Sequence, residues 1–464
     1  MSDEPGPNAD EDDADGDHDE GGAAHVVTAF LRNRGEVLLL RRSDAVGTYR
    51  GLWGGVSGFA EGAPDEQVWI EIREETGLEA DDVSLVRSGR PVEFADPDLD
   101  REWAVHPYLF DCERREVDLS DEHDTFEWVP PSAMLDPDDD REAIPELWTA
   151  YERVAPTVRS IAADDEHGAA YLSIRALEVL RDRAGLLVDE RSEFGTDPQG
   201  ERDELAELAR RLLEARPSMA VLRNRMNRAM SEADRSAGDD TAGAPAVLDS
   251  ALAGIDRALT ADKDAASAAA DRIEGSVATL SRSGTVLDAL REGEPSRVYV
   301  AESRPAGEGV DVAEELSRDC SVTLHTDAAA AHVLAREEIE RVVVGADTVL
   351  PDGSVVNKTG TRGLAIAANR EGIPVSIVAT ADKVSSREEV NLESGDRSAV
   401  YDGDASIDVL NPTFDVTPAD CVTEFATERG ALDAAEIGAV AEELRELETW
   451  RSNGEATDAN PSTR

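Results

Sequence analysis

Residues 58–78 read GFAEGAPDEQVWIEIREETGL, and this stretch predicts a helix with an acidic face. Pro64 and the acids after it suit a helix start, and Gly77 suits a helix end. Glu71, Glu74 and Glu75 stand at positions i, i+3 and i+4, so their carboxylates share one face. Clustered carboxylates supply the hard oxygen ligands that Mg²⁺ or Mn²⁺ prefers, and these ions bridge phosphate oxygens. A merely solvated acidic face is the alternative in so acidic a chain.

The segments around this helix predict an α+β domain. The runs VVTAFL and EVLLLRR are separated by a Gly-containing turn, which indicates a β-hairpin. Two further β runs, VSLV at 83–86 and AVHPYLFD at 104–111, follow the helix. The pattern ends near EWVPPSAM, so we assign residues 24–135 to one domain.

This domain resembles the Nudix hydrolases, whose signature is a Gly, then a Glu, then an REUxEExGU stretch in which U is aliphatic. Residues 70–78 match that stretch except at Ile70, which stands where the family has Arg. The resemblance implies that Glu71, Glu74 and Glu75 hold Mg²⁺ or Mn²⁺. It also implies that Glu71 and Glu74 serve in catalysis, with a nucleoside diphosphate derivative as the substrate.

Two departures from the Nudix signature bear on activity. The missing Arg at Ile70 removes a side chain that orients the Glu cluster in the family. The loop between Gly58 and Glu71 is shortened, so the family's earlier Glu has no single counterpart, and Glu61 and Glu66 are both candidates.

The length and charge of the chain indicate how many domains it has and what kind of solvent it suits. It has 464 residues, with 46 Lys plus Arg against 101 Asp plus Glu, for a formal net charge of −55. Such a length suggests more than one domain. Lys occurs only at Lys263, Lys358 and Lys383, and acids are spread throughout, as in proteins of salt-in halophiles. Dispersed carboxylates keep a chain in solution at molar salt.

The same charge excludes some partners and compartments. A surface this negative repels nucleic acid backbones and anionic lipid, so we expect no direct nucleic acid binding and no membrane association. No apolar stretch approaches the ~20 residues needed to span a bilayer, and the N-terminus is acidic where a signal peptide is basic. The three cysteines form no CxxC pair. These features predict a cytoplasmic protein.

Composition also divides the rest of the chain. We expect a disordered acidic tail at 1–23, a linker at 136–164, a helical subdomain at 165–274 and a frayed end at 451–464, with a loop at 231–246 inside the helical part. Residues 275–450 alternate short β runs with helix-length segments, which predicts a parallel α/β sheet. The predicted β runs are GSVATL, RVYVA, SVTLH, RVVVG and PVSIVA. Sites in such sheets collect at the carboxyl ends of the strands.

Four polar stretches lie at those carboxyl ends. Residues 279–285, TLSRSGT, lead from a β run into a helix, and a helix N-terminus of small residues attracts anions. An ordinary Ser/Thr N-cap is the alternative. The stretches ESRP at 302–305, GAD at 345–347 and NKTGT at 357–361 should reach the same edge. The candidate residues for binding a phosphorylated ligand are Ser281, Arg282, Arg304, Gly345, Asn357 and Lys358.

These stretches resemble the family that joins the alpha, beta and delta subunits of eukaryotic translation initiation factor 2B with ribose-1,5-bisphosphate isomerase and methylthioribose-1-phosphate isomerase. NPTFDVTP at 411–418 and RPS at 216–218 match as well. The resemblance implies a helical subdomain before a Rossmann-like domain, a homodimer or higher oligomer formed through this part, and Asp347 as a catalytic residue. The isomerases pair that Asp with a Cys, whose place Ser281 takes here. A serine hydroxyl is far less acidic than a thiol, which argues against isomerase chemistry.

Three functional hypotheses follow. The favoured one joins a metal-dependent Nudix-type hydrolase to an initiation-factor-2B-like domain that binds a nucleotide or sugar phosphate. The second is a non-enzymatic regulator with an initiation factor as partner. The third keeps ribose-1,5-bisphosphate isomerase chemistry, with Asp347 acting alone or beside another base.

Overall fold

The computed structural model describes residues 23–60, 62–135, 141–236, 238, 242–390 and 392–451. These residues form two compact units. The first comprises the described residues of Met1–Asn33, Val37–Val129 and Arg141–Val154, and the second contains the rest. The predicted tail at 1–23 lies outside the described residues except for its last position, as does the predicted end at 451–464 except for its first. The predicted linker at 136–164 stays a prediction.

The described part of the first unit is an eight-stranded mixed sheet with two helices. Its strands are β1 (Ala24–Asn33), β2 (Glu36–Arg42), β3 (Trp53–Gly54), β4 (Val56–Phe59), β5 (Val83–Ser88), β6 (Val92–Asp96), β7 (Arg101–Cys112) and β8 (His123–Val129). Its helices are α1 (Pro64–Thr76) and α2 (Leu147–Glu152). The main strand order is β3-β2-β1-β7-β5, with β4 on β1, β6 on β7 and β8 on β2. Strands β1 and β7 run parallel.

The core of this unit follows from strand alternation and from the apolar face of α1. Val27, Ala29 and Leu31 of β1 point to one side of the sheet, where they join Val68 and Ile72 of α1 in one buried cluster. The sequence-predicted hairpin and helix are both present, and α1 has the predicted ends. Packing of α1 on the sheet places its carboxylates beside β4, where the candidate site lies.

The second unit begins with five helices. They are α3 (Val158–Ala163), α4 (Ala169–Phe194), α5 (Pro198–Ala215), α6 (Ala220–Ser236) and α7 (Ala244–Ala270). Apolar side chains at helical spacing on α4 to α7 form one buried cluster. The predicted loop at 231–246 is too long at both ends, because α6 continues through Ser236 and α7 begins at Ala244. Ala233 is only 2% exposed, and its burial in the cluster stabilises the last turn of α6.

A seven-stranded sheet follows, with β18 as its antiparallel edge strand. Its strands are β9 (Ser276–Leu280), β10 (Arg297–Ala301), β11 (Val322–His325), β12 (Arg341–Gly345), β15 (Val375–Val378), β17 (Glu424–Thr427) and β18 (Gly430–Leu432). They lie in the order β11-β10-β9-β12-β15-β17-β18. The five β runs predicted from sequence are β9, β10, β11, β12 and β15.

Helices and a small second sheet surround these strands. The helices are α8 (Gly284–Gly293), α9 (Glu308–Leu316), α10 (Ala330–Arg336), α11 (Thr361–Glu371) and α12 (Ala434–Glu446). The second sheet is antiparallel and consists of β13 (Thr348–Val349), β14 (Val355–Lys358) and β16 (Phe414–Thr417). Strand β13 follows β12 in the chain, so this small sheet begins at the carboxyl edge of the main sheet. Within the described ranges, no helix has the length and hydropathy required to cross a bilayer.

Candidate functional sites

The acidic helix α1 forms for local reasons. Pro64 occupies its first turn, and Gly77 ends it in the left-handed conformation with φ 69°. The Gly77 N–H donates to the carbonyl of Arg73, which completes the last turn. This geometry fixes where Glu71 and Glu75, one helical turn apart, meet strand β4.

Glu75 is the buried member of the acidic set, with 3% of its surface exposed. The Ser57 N–H donates to its Oε2 at 3.0 Å, whereas its Oε1 is buried without a hydrogen-bond partner. Burial raises the pKa of Glu75 well above its usual range, and the charges of Glu71 and Glu122 raise it further against the opposing effect of Arg42. A buried carboxylate oxygen without a partner is costly, so this site favours a proton or a cation.

Glu71 lies half-buried beside the same strand. Gln67 donates to its Oε1 at 2.7 Å. A Cβ on Gly58 would overlap the Glu71 carboxyl group, so glycine leaves room for that carboxyl beside β4. Glu74 is exposed, and Ile70 is 38% exposed. The structure therefore brings Glu71 and Glu75 together beside β4 and leaves Glu74 facing solvent.

The donor set suits a hard divalent cation. Among the described side chains, no group of three or more His, Cys, Asp or Glu is already arranged to hold a metal ion. The pair of carboxylates and the unpartnered Oε1 of Glu75 nevertheless fit Mg²⁺ or Mn²⁺, because such an ion would satisfy that oxygen. Of the two candidates for an earlier ligand, Glu66 is exposed on α1 and Glu61 lies outside the described residues.

Sequence reasoning missed two charged groups near Glu75. Arg42 ends β2, and Glu122 immediately precedes β8. Both are distant from the helix along the chain, so no local spacing could connect them to it. Arg42 supplies a cation near the glutamates, which have Ile70 where the Nudix signature has Arg.

An exposed aromatic ring stands at the end of β4. Phe59 follows Gly58 directly and is 51% exposed. Its ring stacks on Trp103, with the ring centroids 6.1 Å apart and the planes at 29°. The Arg101 guanidinium lies 5.2 Å from the Trp103 centroid. Trp103 itself is only 4% exposed. Because Gly58 faces Glu71 and successive side chains of a strand alternate, Phe59 points to the face of β4 away from the acidic pair.

A second candidate site is centred on Glu308 at the start of α9. Ser281 follows β9 with φ 60° and is only 9% exposed, and its N–H donates to Ser303 Oγ at 2.7 Å. The Ser281 hydroxyl donates to Glu308 Oε2 at 2.7 Å. Lys358 Nζ donates to Glu308 Oε1 at 2.8 Å. One carboxylate thus joins two residues that sequence reasoning assigned to ligand binding.

Asp347 belongs to the same group. Burial raises the pKa of its carboxyl, while the cations Lys383 and Lys358 oppose that rise and the anions Glu308 and Glu393 add to it. Asp347 therefore lies within electrostatic reach of two lysines and of the carboxylate that binds Lys358. The structure brings together Ser281, Asp347 and Lys358 as predicted neighbours.

Two other predicted residues contribute packing. A Cβ on Gly345 would lie 2.9 Å from Ser283 Oγ, so glycine lets β12 approach the cap of α8. Asn357 donates through Nδ2 to Thr361 Oγ1 at 3.0 Å, which holds β14 to the start of α11. Both residues shape the edge at which Asp347 stands.

The two predicted arginines lie farther out, on exposed surface. The side chain of Arg282 is 57% exposed, and its guanidinium is 3.7 Å from Glu315. That of Arg304 is 64% exposed and 3.2 Å from Glu302. Each arginine is thus paired with an acid.

Sequence reasoning also missed Glu308 and Lys383. Glu308 reaches the site because β9, β10 and β14 converge, which no local pattern shows. Lys383 donates through Nζ to the carbonyl of Ala346 at 2.7 Å and is buried. The rarity of lysine in this chain is the signal that could have identified it.

Comparison with known proteins finds a family match for each of the two parts of the chain. Residues 165–434 match the sequence model of the Initiation factor 2 subunit family, and residues 23–147 match that of the NUDIX domain. The first match alone covers more than half of the chain. The chain belongs to the Initiation factor 2 subunit family.

Relatives of this Initiation factor 2 subunit family member include isomerases. It is 32% identical over 313 residues to ribose 1,5-bisphosphate isomerase of Haloferax volcanii, which covers 63% of this chain and 94% of that protein. It is 36% identical over 169 residues to methylthioribose-1-phosphate isomerase of Pseudomonas aeruginosa, covering 32% of this chain. That match spans 46% of the relative, so the chain spans about half the length of the methylthioribose-1-phosphate isomerases that it matches.

A solved structure shares the fold. The crystal structure of 5-methylthioribose 1-phosphate isomerase from Pyrococcus horikoshii OT3 aligns with a TM-score of 0.50 and 21% identity. The alignment covers 70% of this chain and 90% of that one. At this identity the likeness concerns the fold alone.

Proposed function

We propose that the NUDIX part is a metal-dependent hydrolase of a nucleoside diphosphate derivative, fused to a part that binds a phosphorylated sugar or nucleotide. The observation that carries the hydrolase proposal is the buried Glu75 carboxylate, whose Oε1 has no hydrogen-bond partner and which lies beside Glu71. A divalent cation would stabilise the two carboxylates held together here, and such ions also bind diphosphates.

Each residue of this site has a proposed role. Glu71, Glu74 and Glu75 would hold Mg²⁺ or Mn²⁺, which supplies charge neutralisation for the diphosphate and lowers the pKa of bound water. Glu74 faces solvent and is assigned to accept a proton from the attacking water.

The test is a hydrolysis assay on ADP-ribose, NADH, nucleoside triphosphates and nucleotide sugars, in molar KCl with Mg²⁺ or Mn²⁺. Wild type is compared with Glu74→Gln and Glu75→Gln, and the exposed Glu79→Gln is the matched control. We expect turnover that both active-site variants lose by about a hundredfold or more and that the control retains.

Metal binding is measured on the same proteins without substrate. Mg²⁺ or Mn²⁺ should raise the unfolding midpoint of wild type and should have a smaller effect on Glu75→Gln. A folded wild type that hydrolyses nothing in the panel, with no response to either metal, would overturn the hydrolase proposal.

The second site supports binding of a phosphorylated ligand. Lys358 and Lys383 supply positive charge at the carboxyl edge of the sheet, beside the N-terminus of α8. We expect ribose 5-phosphate to bind, and Lys358→Met to weaken binding about tenfold or more. Unchanged affinity in that variant would place the ligand elsewhere.

Isomerase activity is the second candidate function, favoured by the 94% coverage of the Haloferax volcanii isomerase. In its favour are Asp347 and Lys358, and against it stands Ser281, whose hydroxyl is bound to Glu308. Conversion of ribose 1,5-bisphosphate that survives Ser281→Ala but not Asp347→Asn would support it. Absence of turnover would leave a binding domain, and recovery of initiation factor 2 subunits in a pull-down would then favour the regulatory alternative.

The finer architecture is also proposed. The order β11-β10-β9-β12-β15-β17 corresponds to that of doubly wound dinucleotide-binding sheets, which supports a Rossmann-like domain at 275–450. We propose that α4 to α7 form the helical subdomain at 165–274, that residues 136–164 link the two parts, and that the second part forms a homodimer or higher oligomer. Sedimentation of the full chain at molar KCl tests the last point.

A further inference from the structure

A cavity of about 320 Å³ in the second unit is lined by Pro217 and Ser218 of the RPS stretch, but by none of the candidate ligand-binding residues named above. Side chains of Arg223 and Arg387 line it, together with the hydroxyl groups of Ser218, Thr348 and Ser385. The chain is strongly acidic overall, yet this cavity is lined by two arginines and by one exposed acid, Glu389. Its other lining residues carry hydroxyl groups or are apolar.

The residues that line this cavity include two arginines and one acid. Arg223 is only 9% exposed, and burial together with repulsion from Arg387 and Arg451 lowers its pKa to about 10. Glu448 is the acid that opposes this shift. It lies 3.7 Å from Arg387 and 3.6 Å from Arg451, so one carboxylate serves several guanidinium groups.

Of the residues that line the cavity, two are arginines and one is an acid, and Glu393 outside the lining accepts from Ser218. Glu448 also accepts a hydrogen bond through Oε1 from the Ser386 hydroxyl at 2.6 Å. Burying a cation without full compensation costs free energy, and the cost is recovered when an anion binds. The arrangement therefore favours an anionic ligand in the cavity.

Strand geometry separates this cavity from the Asp347 group. Thr348 of β13 pairs with Val356 of β14, and both line the cavity. Asp347 and Asn357 are their direct neighbours along the chain, and successive side chains of a strand point to opposite faces. Neither Asp347 nor Asn357 lines the cavity, as this alternation requires.

We propose that this cavity is a second anion site, which binds the phosphoryl group of a small phosphomonoester through Arg223 and Arg387. Two guanidinium groups and surrounding hydroxyls can donate to a tetrahedral phosphate from several directions, whereas a planar carboxylate would use fewer of them. The volume lies near the lower end of the ~300–1,000 Å³ typical of small-molecule sites. A small phosphorylated molecule fits it, and a polymer does not.

The test measures binding of inorganic phosphate and of methyl phosphate by equilibrium dialysis at constant ionic strength. The Lys358→Ala protein removes the contribution of the other site, and Arg223→Met and Arg387→Ala are introduced into it. Arg370→Ala, an exposed arginine on α11, is the matched control. We expect both ligands to bind the Lys358→Ala protein, and each cavity variant to weaken binding about tenfold or more.

Arg387 has a side chain that is 46% exposed, so its variant should fold even if Arg223→Met does not. Unchanged binding in folded Arg387→Ala would overturn the proposal, as would loss of all binding in Lys358→Ala alone. Binding of inorganic phosphate without methyl phosphate would overturn the assignment to a phosphomonoester.

Discussion

Glu308 illustrates how a single residue sets the charge of a site. Its carboxylate accepts from both Ser281 and Lys358, so it neutralises the lysine that should attract a phosphate. The lysine would bind an anion more strongly without this partner. Without a ligand, Glu308 therefore neutralises Lys358. A ligand phosphate must displace the Glu308 carboxylate or bind beside it.

Replacement of this acid should therefore strengthen ligand binding. We predict that Glu308→Gln binds ribose 5-phosphate about five- to tenfold more tightly, because the charge of Lys358 is no longer opposed. Isothermal titration at fixed KCl measures the effect, with Glu314→Gln on the same helix as the control. Weaker binding in Glu308→Gln would instead show that this carboxylate contacts the ligand.

The raised pKa of Asp347 predicts that the stability of the fold depends on pH. Burial raises its pKa in the folded state, so the folded protein binds this proton more tightly than the unfolded chain does. The stability contribution of Asp347 is then highest below the unfolded pKa of ~3.9 and falls as the pH rises toward the folded pKa. The neutral Asp347→Asn should be more stable than wild type at pH 7.

That difference should narrow as the solution is acidified. Urea unfolding in molar KCl at a series of pH values measures it, and the exposed Asp402→Asn provides a control without burial. Equal stability of Asp347→Asn and wild type at every pH would contradict the prediction.

At the scale of elements, strand β4 and helix α1 determine the geometry of the acidic pair. Gly58 lets the strand run against Glu71, and a methyl group there would displace the carboxyl group. We predict that Gly58→Ala lowers hydrolysis by about tenfold or more, since a shift of ~1 Å in a catalytic group can cost a hundredfold. Kinetic assays with Mg²⁺ and a circular dichroism spectrum measure activity and folding together.

Gly62 provides a matched control for this change. It lies in the loop between β4 and α1, and a Cβ at Gly62 would meet no atom within 4 Å. Gly62→Ala should retain wild-type activity. Full activity in Gly58→Ala would show that Glu71 can move without harm, and would weaken its assignment as a ligand.

The elements that sequence predicts well are those with local signals. Helix α1 begins and ends as predicted because Pro64 and Gly77 act within the helix itself. The five predicted strands of the parallel sheet are apolar runs of four to five residues. Strands β13, β14, β16, β17 and β18 were not predicted, and each has only two to four residues, which carry little periodicity.

In the two sites, too, local sequence signals predicted some residues, and long-range contacts brought in the others. Sequence spacing grouped Glu71, Glu74 and Glu75, because they share one helix. It could not separate buried Glu75 from exposed Glu74, since that difference depends on where β4 packs. Arg42 and Glu308 join their sites only through long-range folding, so they had no sequence signal.

At the scale of the whole molecule, the net charge of −55 should govern stability. Like charges repel more strongly in the compact state than in the unfolded chain, and the screening length falls from ~10 Å at 0.1 M salt to ~3 Å at 1 M. We therefore predict that the thermal unfolding midpoint rises by several degrees between 0.1 and 2 M KCl, with enzyme activity following it. Sucrose at matched osmolality is the control, because it is excluded from the protein surface but carries no charge and cannot screen charges. A midpoint that is flat in KCl, or that sucrose raises equally, would show that the acidic surface does not limit folding at low salt.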